Sequence, residues 1–186
     1  MSVSHPSDSL LQQLLSLFYA DSHLLAQFQR LETDQLPDVY RQLLAHDHHM
    51  TVTVEKFHGG PVDVEVLEDT DREGRYLRKI LLRRQEDQRV VQFGIVRIDF
   101  TVLDNDVEMQ IRSRKIPLGR VLIEHDVLRT VKLGEVYQVI CGAELAKWFD
   151  VASGTKTFGR TAVIQCNGAP AVELIEIVAP VSAPVE

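Results

Sequence analysis

The sequence predicts an α+β fold, a mostly antiparallel β-sheet flanked by helices, on three observations. Apolar residues in the first fifth of the chain recur at helical spacing, from Val62 onward they alternate or run in short blocks, and Asn167-Gly168 stands between two such blocks. With 186 residues and 45% hydrophobic content, the chain suits one globular domain with a substantial core. The expected organisation is a single domain over 1–180, including a helical segment over 1–46, followed by a disordered tail at 181–186.

Leu10, Leu11, Leu14, Leu15 and Phe18 share one helical face, with Ser7 or Ser9 available as N-cap. A weaker helical pattern runs through Leu24, Leu25, Phe28 and Leu31, and another follows Pro37 through Val39, Tyr40, Leu43 and Leu44. After His58 the period changes to two. Val62, Val64 and Val66 alternate with acidic residues, and apolar runs follow at 76–82 and 90–100, as expected of antiparallel strands separated by charged turns. Val107 and Ile111 suggest a short helix, and 143–149 suggests another between strands near 130–140 and 160–166. Asn167-Gly168 predicts a two-residue hairpin pairing 160–166 with 170–179.

Charge and composition exclude some functions. The net charge of −7 argues against nucleic acid as a partner, although 12 of the 20 Lys and Arg residues fall between Arg72 and Arg120, where a small anion could be held. No stretch approaches the roughly 20 apolar residues that a membrane helix needs, so a soluble, cytoplasmic protein is expected. Cys141 and Cys166 lack the spacing of a zinc site or redox motif and read as buried thiols.

Three stretches could carry chemistry. His46, Asp47, His48 and His49 are adjacent, but regular structure cannot aim all of them at one ion, and no HExxH motif or Cys pair completes a ligand set. No metal is expected there. In "RYLRKILLRR", 75–84, period two places Arg78 on an apolar face with Tyr76, Ile80 and Leu82, while Lys79 and Arg83 are expected to face solvent. A buried guanidinium needs an anionic partner, either an internal carboxylate or a ligand carboxylate. In "AVELIEIVAP", 171–180, Glu173 and Glu176 lie on opposite faces of an apolar strand. One of them should be buried, and periodicity does not say which.

Several stretches, taken in order, resemble the chorismate pyruvate-lyase family: "LL" followed by Met50-Thr51, "YLRKILL" at 76–82, "KIPLGRVL" at 115–122, "FGR" at 158–160 and "GAPAVELIEIVAP" at 168–180. The set spans about residues 43–180. The resemblance implies a chorismate lyase-like sheet with the ligand buried beneath flaps. It also implies that Arg78 binds a substrate carboxylate, that Met50 and Leu118 line the same pocket, and that Glu176 is the pocket carboxylate. Arg78 and Glu176 would be the catalytic pair, pyruvate would leave chorismate to give 4-hydroxybenzoate, a quinone precursor, and no cofactor or metal would be required. The segment 133–157 is longer than the family's enzymes carry. The same fold serves as an effector-binding module of transcription regulators. A non-catalytic binding or sensing module, or a lyase for a related enolpyruvyl or aromatic acid, therefore stands beside the chorismate reading.

Overall fold

The computed structural model describes residues 9–181, so Ser7 and all of the expected tail except Val181 lie outside the described residues. Seven strands form one sheet: β1 (Ala26–Leu31), β2 (Val62–Arg72), β3 (Arg75–Arg84), β4 (Val90–Ile98), β5 (Arg129–Cys141), β6 (Lys156–Cys166) and β7 (Ala169–Val178). Their order is β1-β5-β6-β7-β4-β3-β2, and every neighbouring pair is antiparallel. Among the described residues, six α-helices accompany them: α1 (Leu10–Leu15), α2 (Asp38–Leu44), α3 (Met50–His58), α4 (Asn105–Arg112), α5 (Leu118–Glu124) and α6 (Ala143–Phe149).

Both faces of the central strands are buried, which explains their near-continuous apolar sequences. On the back face, Leu81, Phe93, Ile95, Ile175 and Ile177 pack under α1 and α6, with Phe93 stacked on Trp148 at 5.3 Å between centroids. Burying each such side chain contributes roughly 1.5–3 kcal/mol before entropy is counted. On the front, α2 and α3 cover Ile80, Leu82 and Val178, while α4 and α5 cover Val96, Ile98, Val172 and Leu174.

Local chemistry sets the element ends. The Ser9 hydroxyl caps α1 by accepting from Gln12 N at 3.2 Å. The β6–β7 turn has Asn167 at φ 53° and Gly168 at φ 85°, the double positive φ that favours Asn-Gly in tight hairpins.

Two expectations are corrected, and two helices appear that none predicted. The pattern at Leu24, Leu25, Phe28 and Leu31 is a short 3₁₀ turn followed by strand β1, not a helix. Its ladder with β5, from Ala26 opposite Cys141 to Leu31 opposite Val136, overrides the helical spacing. Residues 50–58 and 118–124 form α3 and α5, neither of which the apolar periodicity predicts. Lys79 does not face solvent: it is 8% exposed, with Nζ 4.9 Å from the Tyr19 ring centroid and 3.4 Å from Glu68. Helix α6 lies over 143–149 as expected.

Candidate functional site

Strand register arranges the front face as rows, because residues opposite one another across a ladder point to the same side. One row runs Leu82, Gln92, Val178; the next Ile80, Gly94, Glu176, Arg160; the next Arg78, Val96, Leu174, Ala162. Gly94 leaves the middle of this surface without a side chain. Above it, beneath the starts of α3 and α5, is a cavity of about 40 Å³. Met50, Arg78, Leu118 and Glu176 all line it. Glu173, one face away, pairs with Arg97 at 2.5 Å on the back of the sheet.

Arg78 is 1% exposed. Among the described residues, no carboxylate lies within ion-pair distance of it, its Nε has no hydrogen-bond partner, and Nη1 donates only a long bond to Ile111 O at 3.4 Å. The Tyr76 hydroxyl, which donates to Asp69 at 2.7 Å, and the Asp69 carboxylate both favour the charged guanidinium without forming an ion pair with it. Burial accordingly lowers the Arg78 pKa.

Glu176 does not pair with Arg78, the internal pairing that the sequence left open. It accepts from Arg160 Nε at 2.8 Å. Burial raises its pKa, opposed by Arg160 and by the Gln92 amide. Arg160, also 1% exposed, donates to the backbone oxygens of Leu44, His46 and His48 at 3.1, 2.8 and 3.1 Å. It thus ties the turn before α3 to the sheet and sets where Met50 enters the cavity. A Cβ on Gly159 would lie 2.7 Å from Glu176 O, so glycine permits the close strand approach at this pair.

The histidines separate. His46 and His48 stack at 5.6 Å near the surface, whereas His49 is buried and lines the cavity. Its Nε2 accepts from Arg129 Nε at 2.8 Å, which leaves the proton of the neutral ring on Nδ1. Burial first, then Arg129 and Arg160, push its pKa down to about 4. Among the described residues, no group of three or more His, Cys, Asp or Glu is arranged to hold a metal ion. Cys141 and Cys166 are free and buried, their thiols pushed up to about 11 by burial.

Arg160, Gln92 and His49 are cavity or support residues to which the sequence reading gave no role. The "FGR" stretch carries this arginine without showing its partner, because an irregularity between Ile164 and Gln165 shifts the register counted from the Asn167-Gly168 turn.

No protein-family model matches the chain, and no curated protein does. Solved structures do. The chain is similar to the effector domain of PhnF from Mycobacterium smegmatis, at 10% identity and a TM-score of 0.50, covering 71% of this chain and 88% of that one. The fold is chorismate lyase-like. The C-terminal domain of the histidine utilization repressor from Pseudomonas syringae pv. tomato matches at 13% identity and a TM-score of 0.46, over 67% and 96% of the two chains. For YydK, a possible transcriptional regulator from Bacillus subtilis, the values are 11% and 0.43, and the chain spans 62% of its length. Among the described residues, no helix is long and apolar enough to cross a membrane.

Proposed function

We propose that the cavity binds a small aromatic acid, of the class of chorismate and 4-hydroxybenzoate, by its carboxylate. The observation that carries this is Arg78: a guanidinium 1% exposed, lining a cavity, with Nε unpartnered and no carboxylate within ion-pair distance among the described residues. A charge so placed costs several kcal/mol to desolvate unless an anion meets it. A ligand carboxylate meets it with the planar geometry that a guanidinium fork matches. Met50 and Leu118 supply apolar wall for a ring.

Titration of 4-hydroxybenzoate tests the assignment. Arg78→Ala and Arg78→Lys should both bind at least tenfold more weakly than wild type, because truncating a buried charge-assisted bond costs about 2–5 kcal/mol. Unchanged affinity in either variant makes Arg78 a structural residue.

Turnover is a second reading, favoured by Glu176 on the wall of the same cavity. Loss of pyruvate from chorismate breaks the enolpyruvyl ether, removes a ring proton and adds a proton to the departing enolpyruvate, leaving an aromatic ring. A buried carboxylate with a raised pKa is suited to carry that proton. Neither a metal nor a redox cofactor enters this chemistry, so a chelator should leave it unchanged. Incubation with chorismate decides between the readings: an enzyme releases pyruvate and 4-hydroxybenzoate, and a sensor binds and releases neither.

A further inference from the structure

Among the described residues, two buried polar atoms of the side chains lining this cavity lack partners, and they are of opposite kind. Arg78 Nε is a donor without an acceptor; Gln92 Oε1 is an acceptor without a donor. Gln92 is 3% exposed and lines the same cavity. The orientation of its amide follows from Glu176: the Gln92 amide helps hold that carboxylate in its charged form. Only the NH₂ end of an amide does so. The Glu176 carboxylate already receives Arg160 as well. The unmet acceptor at this end of the cavity is the amide oxygen.

The rows place the two residues along the sheet. Arg78 lies opposite Val96 and Gln92 opposite Leu82, so their rows are separated by four residues along β4, roughly 13 Å at the rise of a strand. Between them on β4 is Gly94, whose missing side chain opens the floor. The cavity thus asks for an anionic group at one end and a hydrogen-bond donor at the other, with a flat body across the glycine.

We propose that Gln92 is a specificity-determining residue, selecting acids that carry a hydroxyl or amino donor remote from the carboxylate over acids of the same shape without one. This rests on the carboxylate reading of Arg78 and assigns the ligand's hydroxyl to Gln92 Oε1. A ligand lacking the donor leaves that oxygen buried and unpaired, which is how hydrogen-bonding sites reject apolar analogues.

The test compares dissociation constants of 4-hydroxybenzoate and 4-methylbenzoate, equal in shape and different in the donor, with benzoate as reference. Wild type should prefer 4-hydroxybenzoate over 4-methylbenzoate by tenfold or more. Gln92→Leu, close in volume and without an acceptor, should bring the two within about twofold while keeping or improving 4-methylbenzoate affinity. Gln92→Met repeats the measurement should the leucine variant fail to fold. A preference that survives in a folded Gln92 variant overturns the proposal and returns the hydroxyl to Glu176. Wild type binding all three acids equally also overturns it and leaves the Arg78 reading standing. Wild type binding none of them removes the carboxylate reading and this inference together.

Discussion

On the back of the sheet Glu173 meets Arg97 at 2.5 Å, with side chains 33% and 22% exposed; on the front, three residues along β7, Glu176 meets Arg160 at 2.8 Å, with 10% and 1%. Each is an arginine–glutamate pair between neighbouring strands. On the back, water shares the charges, and Arg97 also donates to Gln13. On the front, the pair sits in a face whose other buried charge, Arg78, lacks a counter-ion, around an open space rather than packed atoms. Buried polar groups are as a rule matched inside the protein. Here two of the four buried side-chain atoms without a partner among the described residues belong to one cavity, as expected of a surface completed by a ligand. The back is not free of such atoms, since Tyr19 Oη and Glu144 Oε2 are unpartnered, but Glu144 acts directly on the Tyr19 hydroxyl and raises its pKa.

The comparison is broken most decisively by kinetics. For a wild type that turns chorismate over, Glu176→Gln keeps the shape and removes the titratable group, so kcat should fall by roughly 10²–10⁴ with 4-hydroxybenzoate affinity little changed. Glu173→Gln should stay within a few-fold. A silent Glu176→Gln beside an inactive Glu173→Gln would reverse the two faces.

Stability gives the next largest contrast. Arg160→Met leaves Glu176 buried without its cation and frees three backbone oxygens, for an expected loss of about 3–5 kcal/mol. Arg97→Met, at a partly solvated pair, should cost about 1 kcal/mol or less. Urea unfolding of both variants measures the difference, and equal losses would mean that the pairs are equivalent.

Acid should weaken the front. The unfolded His49 titrates near its ordinary 6.5 and the folded one near 4, so both are neutral above pH 6.5. Between those values the unfolded chain takes a proton that the folded chain refuses. His49 therefore contributes stability that is lost as pH falls from 6.5 toward 4, by up to ~3 kcal/mol at 1.36 kcal/mol per pH unit. His46 and His58, also lowered, act in the same direction. His49→Gln, which keeps an acceptor for Arg129, should show a shallower fall between pH 7 and pH 4.5 in urea unfolding. An unchanged slope would place the acid sensitivity elsewhere.

The smallest effect on stability is expected at Gly94. A Cβ there would meet Ile80 and Ile175 O at 3.4 Å, near ordinary contact, so Gly94→Ala should change unfolding free energy by less than about 1 kcal/mol. It would nonetheless occupy the cavity floor, and 4-hydroxybenzoate should bind more weakly. Stability lost without any change in binding would remove Gly94 from the floor.

The strands at 62–66, 76–82 and 90–100 were legible because alternation and short apolar runs report burial directly, and the hairpin was legible because Asn-Gly suits its turn. The edge strand β1 was not, since "AQFQRL" has too few buried residues to alternate and its pairing lies more than 100 residues away in β5. Helix α3 is masked by the β-branched run "TVTV", and α5 begins with Pro-Leu-Gly, which reads as loop. At the site, Arg78 and Glu176 stood out as charges in apolar strands. Lys79 misled because its aromatic neighbours come from α1's exit and α6. Arg160 was hidden by one residue. Continued from the Asn167-Gly168 turn, an unbroken register sets Gly159 opposite Glu176, and the irregularity between Ile164 and Gln165 brings Arg160 there instead. A one-residue slip exchanges the faces of a strand, so no count from the turn alone finds this partner.

At about 40 Å³ the cavity has room for a few water molecules, so an aromatic ring would need it to widen. The space lies under α3 and α5, which Arg120 and Glu55 join by an ion pair. If a ligand of the proposed class enters by parting these helices, association becomes two events, opening and capture. As ligand concentration rises, the observed association rate should stop rising and level at the frequency with which the helices separate. The same separation sets how long a bound molecule stays, so residence time is a property of the α3–α5 seam as much as of the groups that grip the ligand.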